Sequence, residues 1–250
     1  MTSMNKKVTN TPLTSLSSEG AEGGLLSYIS SHIDPEPEYL YRLWRATNVH
    51  LLHGRMASGH IQGRLLKMFV EMIRPQFILE VGTFSGYSAI CMAEGLAAVS
   101  KSEEHGVGSD SRPSTLDPRL LVTFEINDEM EPFTRQWIDG SSVAEYIDFR
   151  IGDAITEAPK LGITFDMAFI DGDKRTYVEA YEMVLSCLSD GGWIFADNTL
   201  WDGHVADHAY DRDSQTLGIR RFNDLVAQDQ RVEKVILPLR DGLTIIRKKQ

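Results

Sequence analysis

The chain has 250 residues, of which 42% are hydrophobic and 24% charged, so it can bury one substantial core. Its formal net charge of -11 at pH 7 repels nucleic-acid phosphates and anionic membrane surfaces, and no run of Lys or Arg offers a local exception. We therefore expect one globular domain that acts on a small molecule, with no nucleic-acid and no membrane partner.

The N-terminus and the cysteines bear on the compartment. The first residues are rich in Ser and Thr and lack both aromatic side chains and the apolar segment of a secretory signal, which predicts a disordered tail over residues 1–23. Only two cysteines occur, Cys91 and Cys187, and both lie in apolar helical patterns. Reduced core cysteines are typical of the cytoplasm, where we expect the protein.

Apolar residues recur at helical spacing from residue 24 to residue 75, which predicts a helical cap. The predicted apolar stripe of its last helix consists of Leu65, Met68, Phe69 and Met72. Earlier apolar residues of the cap, such as Leu40, Leu43 and Trp44, fit either packing on the sheet or a homodimer interface.

From residue 76 to residue 250, short apolar runs alternate with amphipathic helices, a pattern typical of parallel strands covered on both faces. The runs read FILEVGT, LLVTFEI, IDFRIGD, FDMAFID and GWIFADN. Two later runs, VEKVILPL and GLTIIRKK, are separated only by Arg240 and Asp241, so they should form an antiparallel hairpin. The prediction is an α/β, doubly wound Rossmann-like sheet of seven mostly parallel strands, with a polar surface loop at 99–119.

Each of the five predicted parallel strands carries an acidic residue at or near its carboxyl end. These residues are Glu80, Glu125, Asp153, Asp171 and Asp197. Ligands of open α/β sheets bind in the crevice at that edge, so acids in register predict a site for hydrogen-bond donors and cations. One or two of these acids could instead cap the following helices, and for Asp153 both interpretations stay open.

The turn after the first strand reads EVGTFSGYS, and Gly82 and Gly86 let a ligand approach the backbone. Phe84 stands where a dinucleotide fingerprint needs its second glycine, which argues against a nicotinamide or flavin cofactor. Glu125, at the end of the second strand, is placed to accept hydrogen bonds from a ribose diol, with a solvated strand end as the alternative.

Asp171, Asp197 and Asn198 should converge, because one helix and one strand separate the first from the other two. Two carboxylates and an amide oxygen are hard ligands that suit Mg²⁺ or a similar divalent cation such as Mn²⁺ or Ca²⁺. The alternative is structural, with a helix cap and a turn. A bound cation would disfavour the ammonium form of Lys174, which makes that residue a candidate general base unless it simply pairs with Asp173 at the surface.

In combination, several motifs resemble those of the cation-dependent O-methyltransferases, the family of catechol O-methyltransferase and the caffeoyl-coenzyme A O-methyltransferases. These motifs are EVGTFSGYS, FEIN, GDA, FIDGDKRTY, ADNTLW and LPLRDGLTIIRK, within the stretch from Met56 to Lys249. The resemblance implies a class I methyltransferase fold, S-adenosylmethionine as cofactor, and methylation of a hydroxyl on a small catechol-like or hydroxylated aromatic acceptor. Because members of the family are often dimers, we also expect a homodimer.

The resemblance assigns roles to individual residues. Lys174 matches the catalytic lysine, which takes a phenolic proton, and the metal ligands match Asp171, Asp197 and Asn198. The implied cofactor-binding residues are Met56, Ser58, Glu80, Gly82, Ser88, Glu125, Asp153, Ala154 and Asp171. Tyr177 and Trp201 are candidate substrate contacts, each with simple packing as the alternative. The segment WDGHVADHAYDRDSQTLGIRRF is shorter than in the plant coenzyme A ester enzymes, which puts such an ester in doubt.

Two other functions remain compatible with the sequence. A non-catalytic S-adenosylmethionine-binding regulatory protein would keep the fold, although the intact metal and lysine set argues against it. The other is a methyltransferase acting on nucleic acid or protein. The acidic charge and the sequence IDGDK, where base-amine methyltransferases carry an Asn/Asp-Pro-Pro-aromatic motif, argue against nucleic acid, whereas a protein substrate stays open.

Overall fold

The computed structural model describes residues 21–106 and 119–250. Within these residues the strands are β1 (Phe77–Val81), β2 (Leu120–Glu125), β3 (Ile147–Ile151), β4 (Phe165–Ile170), β5 (Leu188–Asp197), β6 (Val232–Leu237) and β7 (Leu243–Lys248). The helices are α1 (Ala21–Ser31), α2 (Glu38–His50), α3 (Gly59–Ile73), α4 (Tyr87–Gly106), α5 (Glu131–Asp139), α6 (Ala154–Glu157), α7 (Tyr177–Cys187) and α8 (Ser214–Gln228). Three short 3₁₀ helices border the candidate site: Gly54–Met56, Lys174–Thr176 and Trp201–Ala206.

The strands form one sheet in the order β3-β2-β1-β4-β5-β7-β6. Strands β1 to β5 run parallel, whereas β7 pairs antiparallel with both β5 and β6. The predicted doubly wound, mostly parallel sheet with a C-terminal antiparallel hairpin is confirmed. Because the strand order reverses between β1 and β4, the crevice outside their carboxyl ends is where such a sheet binds ligands.

Successive residues of a strand point to opposite sides of the sheet, so strands that are apolar along their whole length make both faces of the sheet apolar. Leu79 of β1 belongs to a buried cluster with Phe222 of α8. Its neighbour Ile78 belongs to a second cluster, with Leu66 of α3 and Met92 of α4. Helices cover the sheet on both sides, and this packing fixes the positions of the strand ends that surround the crevice.

Helix α2 packs on α4 at the outer side of the cap. Leu40 and Leu43 are fully buried in one cluster with Ile90, whereas Trp44 is 40% exposed. The first two residues therefore follow the packing alternative, and Trp44 presents part of its ring to solvent.

The buried face of α3 differs in part from the predicted stripe. Leu65 and Phe69 pack against the core, whereas Met68 and Met72 are 56% and 74% exposed. Its buried residues include, at a spacing of four, Gln62, Leu66 and Val70. The reason is a close approach of α3 to α4 at two glycines. A Cβ added to Gly63 would lie 2.7 Å from Cys91 Sγ, and one added to Gly95 would lie 2.7 Å from a side-chain carbon of α3. Tertiary packing here overrides the apolar pattern.

Two predicted boundaries shift. Helix α1 begins at Ala21, so residues 21–23 of the predicted tail are helical, and the rest of that tail lies outside the described residues. Helix α4 continues to Gly106, and Glu103 near its end pairs with Arg74 at 2.8 Å and with Arg119 at 2.7 Å. Residues 99–106 are therefore helix, residues 107–118 lie outside the described residues, and the assignment of 24–250 to one domain stays a prediction.

Within the described part of the chain, no helix has the length and apolar character needed to cross a bilayer. Both cysteines are free, with Cys91 buried in the cap–α4 cluster and Cys187 partly exposed at the end of α7.

Candidate active site

The carboxyl ends of two neighbouring strands bring the predicted metal ligands together. Asp197 is the last residue of β5, and Asp171 directly follows β4. Ile170 pairs with Ala196 across these parallel strands, so the two aspartates leave the sheet side by side. Lys174 opens the 3₁₀ helix three residues further along. The convergence expected from the spacing is present in the structure.

Asp197 is buried and is held by two donors. It is 3% exposed, Gln62 Nε2 donates to its Oδ2 at 2.7 Å, and the backbone N–H of Asn198 donates to its Oδ1 at 2.8 Å. Burial, followed by the charge of Asp171, raises the pKa of Asp197 above its ordinary value. A cation bound between the two carboxylates would relieve that repulsion.

Lys174 is a buried lysine directed at the aspartates. It is 6% exposed, and its Nζ donates to Asp171 Oδ1 at 2.8 Å and to the Tyr177 hydroxyl at 2.8 Å. The expected alternative, a surface pair with Asp173, is not formed, because Asp173 pairs with Arg175 instead. Lys174 therefore points its ammonium group into the crevice.

Tyr177 lies beneath this lysine. It is 1% exposed, its ring is edge-on to Phe222 with centroids 5.5 Å apart, and its hydroxyl donates to the backbone carbonyl of Asp197 at 2.9 Å. Burial, followed by the charges of Asp171 and Asp197, raises the pKa of Tyr177 well above its ordinary value. The hydroxyl thus stays protonated and holds Lys174 in place, which fits the packing alternative better than a substrate contact.

The chain leaves β5 through a strained segment. Asn198, Trp201 and Asp202 all have left-handed backbone angles, with φ of 57°, 48° and 51°. Non-glycine residues in this region are costly and concentrate at functional sites. The ring of Trp201 lies with its centroid 5.8 Å from Lys174 Nζ, so it forms an aromatic wall beside the lysine. Asn198 stays next to Asp197 at the strand end.

The donors present fit a divalent cation. Asp171, Asp197 and Asn198 offer carboxylate and amide oxygens, the ligands that Mg²⁺ prefers. No group of three His, Cys, Asp or Glu side chains in residues 21–106 and 119–250 is arranged to hold a metal. A cation here would therefore depend on the asparagine and on oxygens of water or substrate, which is usual for Mg²⁺.

Glu80 is the buried acid of β1, on the other side of the crevice. It is fully buried, Ser88 Oγ donates to its Oε1 at 2.6 Å, and Thr123 Oγ1 donates to its Oε2 at 2.5 Å. Burial is the main cause that raises the pKa of Glu80 to about 8, against these two hydrogen bonds, which lower it. The predicted residues Glu80 and Ser88 thus form one polar contact between β1 and the first turn of α4.

Glu125, the last residue of β2, is held at the crevice by backbone N–H groups, one of them from the turn after β1. The backbone N–H of Phe84 donates to Glu125 Oε2 at 2.8 Å, and that of Asn127 donates to Oε1 at 2.9 Å. Gly82 has a φ of 98°, and a Cβ there would collide with the backbone carbonyl of Asp171. The glycine is therefore required for β1 to turn past the end of β4.

The remaining predicted cofactor residues lie around the same edge. Met56 is 58% exposed in the cap, and Ser58 precedes α3 and is 5% exposed. Asp153 caps α6, because its Oδ1 accepts from the N–H of Ile155 at 3.0 Å, and Ala154 is the first residue of that helix. The capping interpretation of Asp153 is thus observed, and an adenine contact stays a prediction.

Comparison with known proteins decides the family. A family model described as O-methyltransferase matches residues 28–102 and 115–249, most of the chain. This chain belongs to the O-methyltransferase family. The methyltransferase is 31% identical to tricin synthase 1 of Oryza sativa subsp. japonica over 227 residues, 85% of this chain and 82% of that protein. It is 29% identical to the caffeoyl-CoA O-methyltransferase of Petroselinum crispum over 228 residues, 85% of each chain.

Solved structures agree on the fold. The S-adenosylhomocysteine-bound methyltransferase PaMTH1 of Podospora anserina matches the complete chain with a TM-score of 0.78 at 21% identity, and is itself covered completely. The O-methyltransferase TomG of Streptomyces achromogenes, solved with S-adenosylmethionine, matches with a TM-score of 0.74 at 25% identity, over 91% of this chain and 96% of that one. The predicted class, an S-adenosylmethionine-dependent O-methyltransferase, is confirmed.

Two residues of this methyltransferase that lie on the Asp197 side of the site were not predicted from the sequence. Gln62 contacts Asp197 from the cap, and Arg240 contacts Gln62 from the β6–β7 turn. The spacing of Gln62 from Leu66 and Val70 puts a polar residue on a buried helical face, which is a usable signal. Arg240 carries no such signal, because only the fold brings the C-terminal hairpin to the cap.

Proposed function

We propose that this methyltransferase moves a methyl group from S-adenosylmethionine to a hydroxyl of a small catechol-like or hydroxylated aromatic acceptor, with the help of a divalent cation. The observation that carries the proposal is the buried arrangement of Asp171, Lys174 and Asp197 at the switch point of the sheet. A buried lysine beside two close carboxylates is typical of acid–base chemistry at a cation site.

Asp171, Asp197 and Asn198 would hold the cation. When bound, Mg²⁺ supplies a positive charge that favours the deprotonated form of a hydroxyl and orients neighbouring oxygens. A free phenol, with a pKa of about 10, is a poor nucleophile at neutral pH. A cation held by these residues would put its positive charge where the acceptor oxygen has to lose its proton.

Lys174 would take that proton at Nζ as a neutral amine, the form that the positive charge of a cation held by the neighbouring aspartates would favour over the ammonium form. The nitrogen lies 2.8 Å from both Asp171 Oδ1 and the Tyr177 hydroxyl, so its direction is fixed before the acceptor arrives. After the transfer, the adjacent Asp171 carboxylate stabilises the ammonium form. Trp201 would cover the acceptor ring, because its own ring lies beside the same nitrogen.

The cofactor would lie along the β1 and β2 ends. Solved relatives carry S-adenosylmethionine or S-adenosylhomocysteine, TomG and the Bacillus cereus O-methyltransferase among them. Here Glu80 and Ser88 would meet its amino-acid end, and Glu125 its ribose diol. The remaining positions proposed for this cofactor are Met56, Ser58, Gly82, Asp153, Ala154 and Asp171. Gly82 lies at the turn beside these groups, where the absence of a side chain lets the backbone pass the carbonyl of Asp171.

The acceptor class rests on the relatives. Their names, caffeoyl-CoA O-methyltransferase and tricin synthase, describe phenolic chemistry, and we propose a phenolic acceptor with neighbouring hydroxyls for this chain as well. We also propose a cytoplasmic homodimer. Apolar side chains of α2, such as Tyr41 and Trp44, are 43% and 40% exposed and could be covered by a second copy.

The test is methyl transfer from labelled S-adenosylmethionine to a panel of catechols, with Mg²⁺ and with excess chelator. We expect wild-type turnover that disappears with chelator, and loss of turnover in Asp171→Ala. The surface variant Asp190→Ala, whose side chain is 71% exposed, is the matched control and should keep full activity. Turnover that persists in chelator would refute the metal role, and cofactor binding without turnover of any acceptor would support a non-catalytic protein.

A further inference from the structure

A chain of hydrogen bonds joins the C-terminal hairpin to the candidate metal ligands through the cap. Arg240 Nη1 donates to Gln62 Oε1 at 2.8 Å, and Gln62 Nε2 donates to Asp197 Oδ2 at 2.7 Å. Gln62 is 1% exposed and Asp197 3% exposed, so water does not compete for either group. These two hydrogen bonds connect three parts of the fold that are far apart in sequence: the C-terminal hairpin, the cap and the end of β5.

The arginine fixes which way the glutamine amide points. A guanidinium group can only donate, so it selects the oxygen of Gln62. The amide nitrogen is then directed at Asp197, where it meets a carboxylate that can only accept when ionised. Because the backbone N–H of Asn198 holds the other oxygen at 2.8 Å, both oxygens of Asp197 are oriented, and each keeps a free lone pair.

Arg240 is held at a cost to its backbone. It has a φ of 50° in the turn between β6 and β7, a conformation in which a side chain is strained. The same guanidinium also donates to the backbone carbonyls of Ser58 and, at 3.3 Å, Arg55. It thereby fastens the cap segment that contains the proposed cofactor residues Met56 and Ser58.

We propose that Gln62 and Arg240 are positioning residues for the metal site: Arg240 sets the orientation of the Gln62 amide, and Gln62 holds the Asp197 carboxylate in the plane in which it binds a divalent cation. This inference rests on the proposed metal-dependent function. Groups that orient a metal ligand typically change metal affinity by about 10- to 100-fold when removed.

The experiment titrates Mn²⁺ into the full-length protein and measures free Mn²⁺ by electron paramagnetic resonance. Gln62→Met, which keeps the length of the side chain and removes both polar atoms, should weaken Mn²⁺ binding by at least about tenfold. Arg240→Met should weaken it in the same direction. The double variant should bind Mn²⁺ no more than about threefold more weakly than Gln62→Met, because Arg240 acts through Gln62.

The control is Thr47→Val. Thr47 is a fully buried polar residue of the cap that donates to the carbonyl of Leu43, so its loss tests general damage to the cap. It should leave Mn²⁺ affinity unchanged, and thermal melting should show that each variant is folded. If Gln62→Met does not fold, Arg240→Met carries the same test.

The outcomes separate the two hypotheses. Wild-type affinity for Mn²⁺ in folded Gln62→Met or Arg240→Met would overturn the positioning role while leaving the metal site intact. Full additivity in the double variant would overturn the route from Arg240 through Gln62. Absence of Mn²⁺ binding by the wild-type protein, together with chelator-resistant turnover, would instead refute the proposed function itself.

Discussion

The acidic side chains in the two halves of the crevice have different kinds of hydrogen-bond partner. At the ends of β1 and β2, Glu80 is held by hydroxyl donors and Glu125 by backbone N–H groups. At the ends of β4 and β5, Asp171 and Asp197 lie next to each other, with the ammonium group of Lys174 bonded to Asp171. The first half is satisfied by neutral donors, and the second is dominated by formal charges.

This difference indicates a division of labour. Neutral donors around a fixed carboxylate make a preorganised surface that can bind a ligand without moving charge. Two close carboxylates beside a buried lysine form a cluster whose protonation states change when a cation or a proton enters. We therefore propose that the first half binds the cofactor and that the second half carries out the proton transfer.

The largest expected effect is in the charged half. Lys174→Met should lower kcat by about 10²- to 10⁴-fold, because the general base is lost. Binding of S-adenosylhomocysteine, measured by calorimetry, should change by less than about threefold, because the cofactor half makes its own contacts. Lys160→Met is the matched control, since that lysine is exposed and pairs with Glu157 at the surface. Normal kcat in Lys174→Met would remove the proposed division.

A smaller effect should appear in the neutral half as pH changes. The pKa of Glu80 is raised from 4.5 to about 8, so the folded protein keeps this proton over a range where the unfolded chain has lost it. Stability from this group is therefore fully present below pH 4.5 and is lost as pH rises toward 8. The free energy of unfolding should fall, relative to Glu80→Gln, by on the order of 4 kcal/mol across that window.

Urea denaturation of both proteins at pH 5 and pH 8 measures this difference. Glu157→Gln serves as control, because Glu157 is exposed and its pKa is lowered by Lys160, so it should show no such loss. Parallel pH profiles for wild type and Glu80→Gln would mean that Glu80 is ionised throughout.

The smallest effect concerns the rim of the cofactor half. Asp153→Ala should lower the free energy of unfolding by about 1 kcal/mol, because it removes the N-cap of α6. Asp153→Asn should lose much less, since asparagine caps helices equally well. Denaturation gives both values, and cofactor calorimetry on the same variants shows whether Asp153 also contacts the ligand. Equal stability of the alanine variant and wild type would contradict the capping role.

Much of the fold and part of the site could be predicted from sequence. Continuous apolar runs predicted buried parallel strands, and the two-residue link at Arg240 and Asp241 predicted the hairpin, because both signals are local. The face of α3 was predicted only in part: Leu65 and Phe69 pack against the core, but Met68 and Met72 do not, since close packing against α4 at two glycines sets the direction of the helix. Local periodicity does not contain that contact.

For the site, spacing predicted that Asp171 would lie near Asp197, because parallel strands end at the same edge of a sheet. The direction of Lys174 toward Asp171, away from Asp173, was decided by the tertiary structure. Lys174 is buried at this position and donates to the hydroxyl of Tyr177, the first residue of α7. Both the burial and this hydrogen bond depend on how α7 packs on the sheet.

The sequence by itself determined the apolar runs that become strands, the acidic residues at the strand ends and the family. These features depend on the types and spacing of residues along the chain. The tertiary structure alone decided that Gln62 reaches Asp197 and that Arg240 reaches Gln62. Those contacts join residues 135 and 178 positions apart, and only folding brings such groups within hydrogen-bond distance.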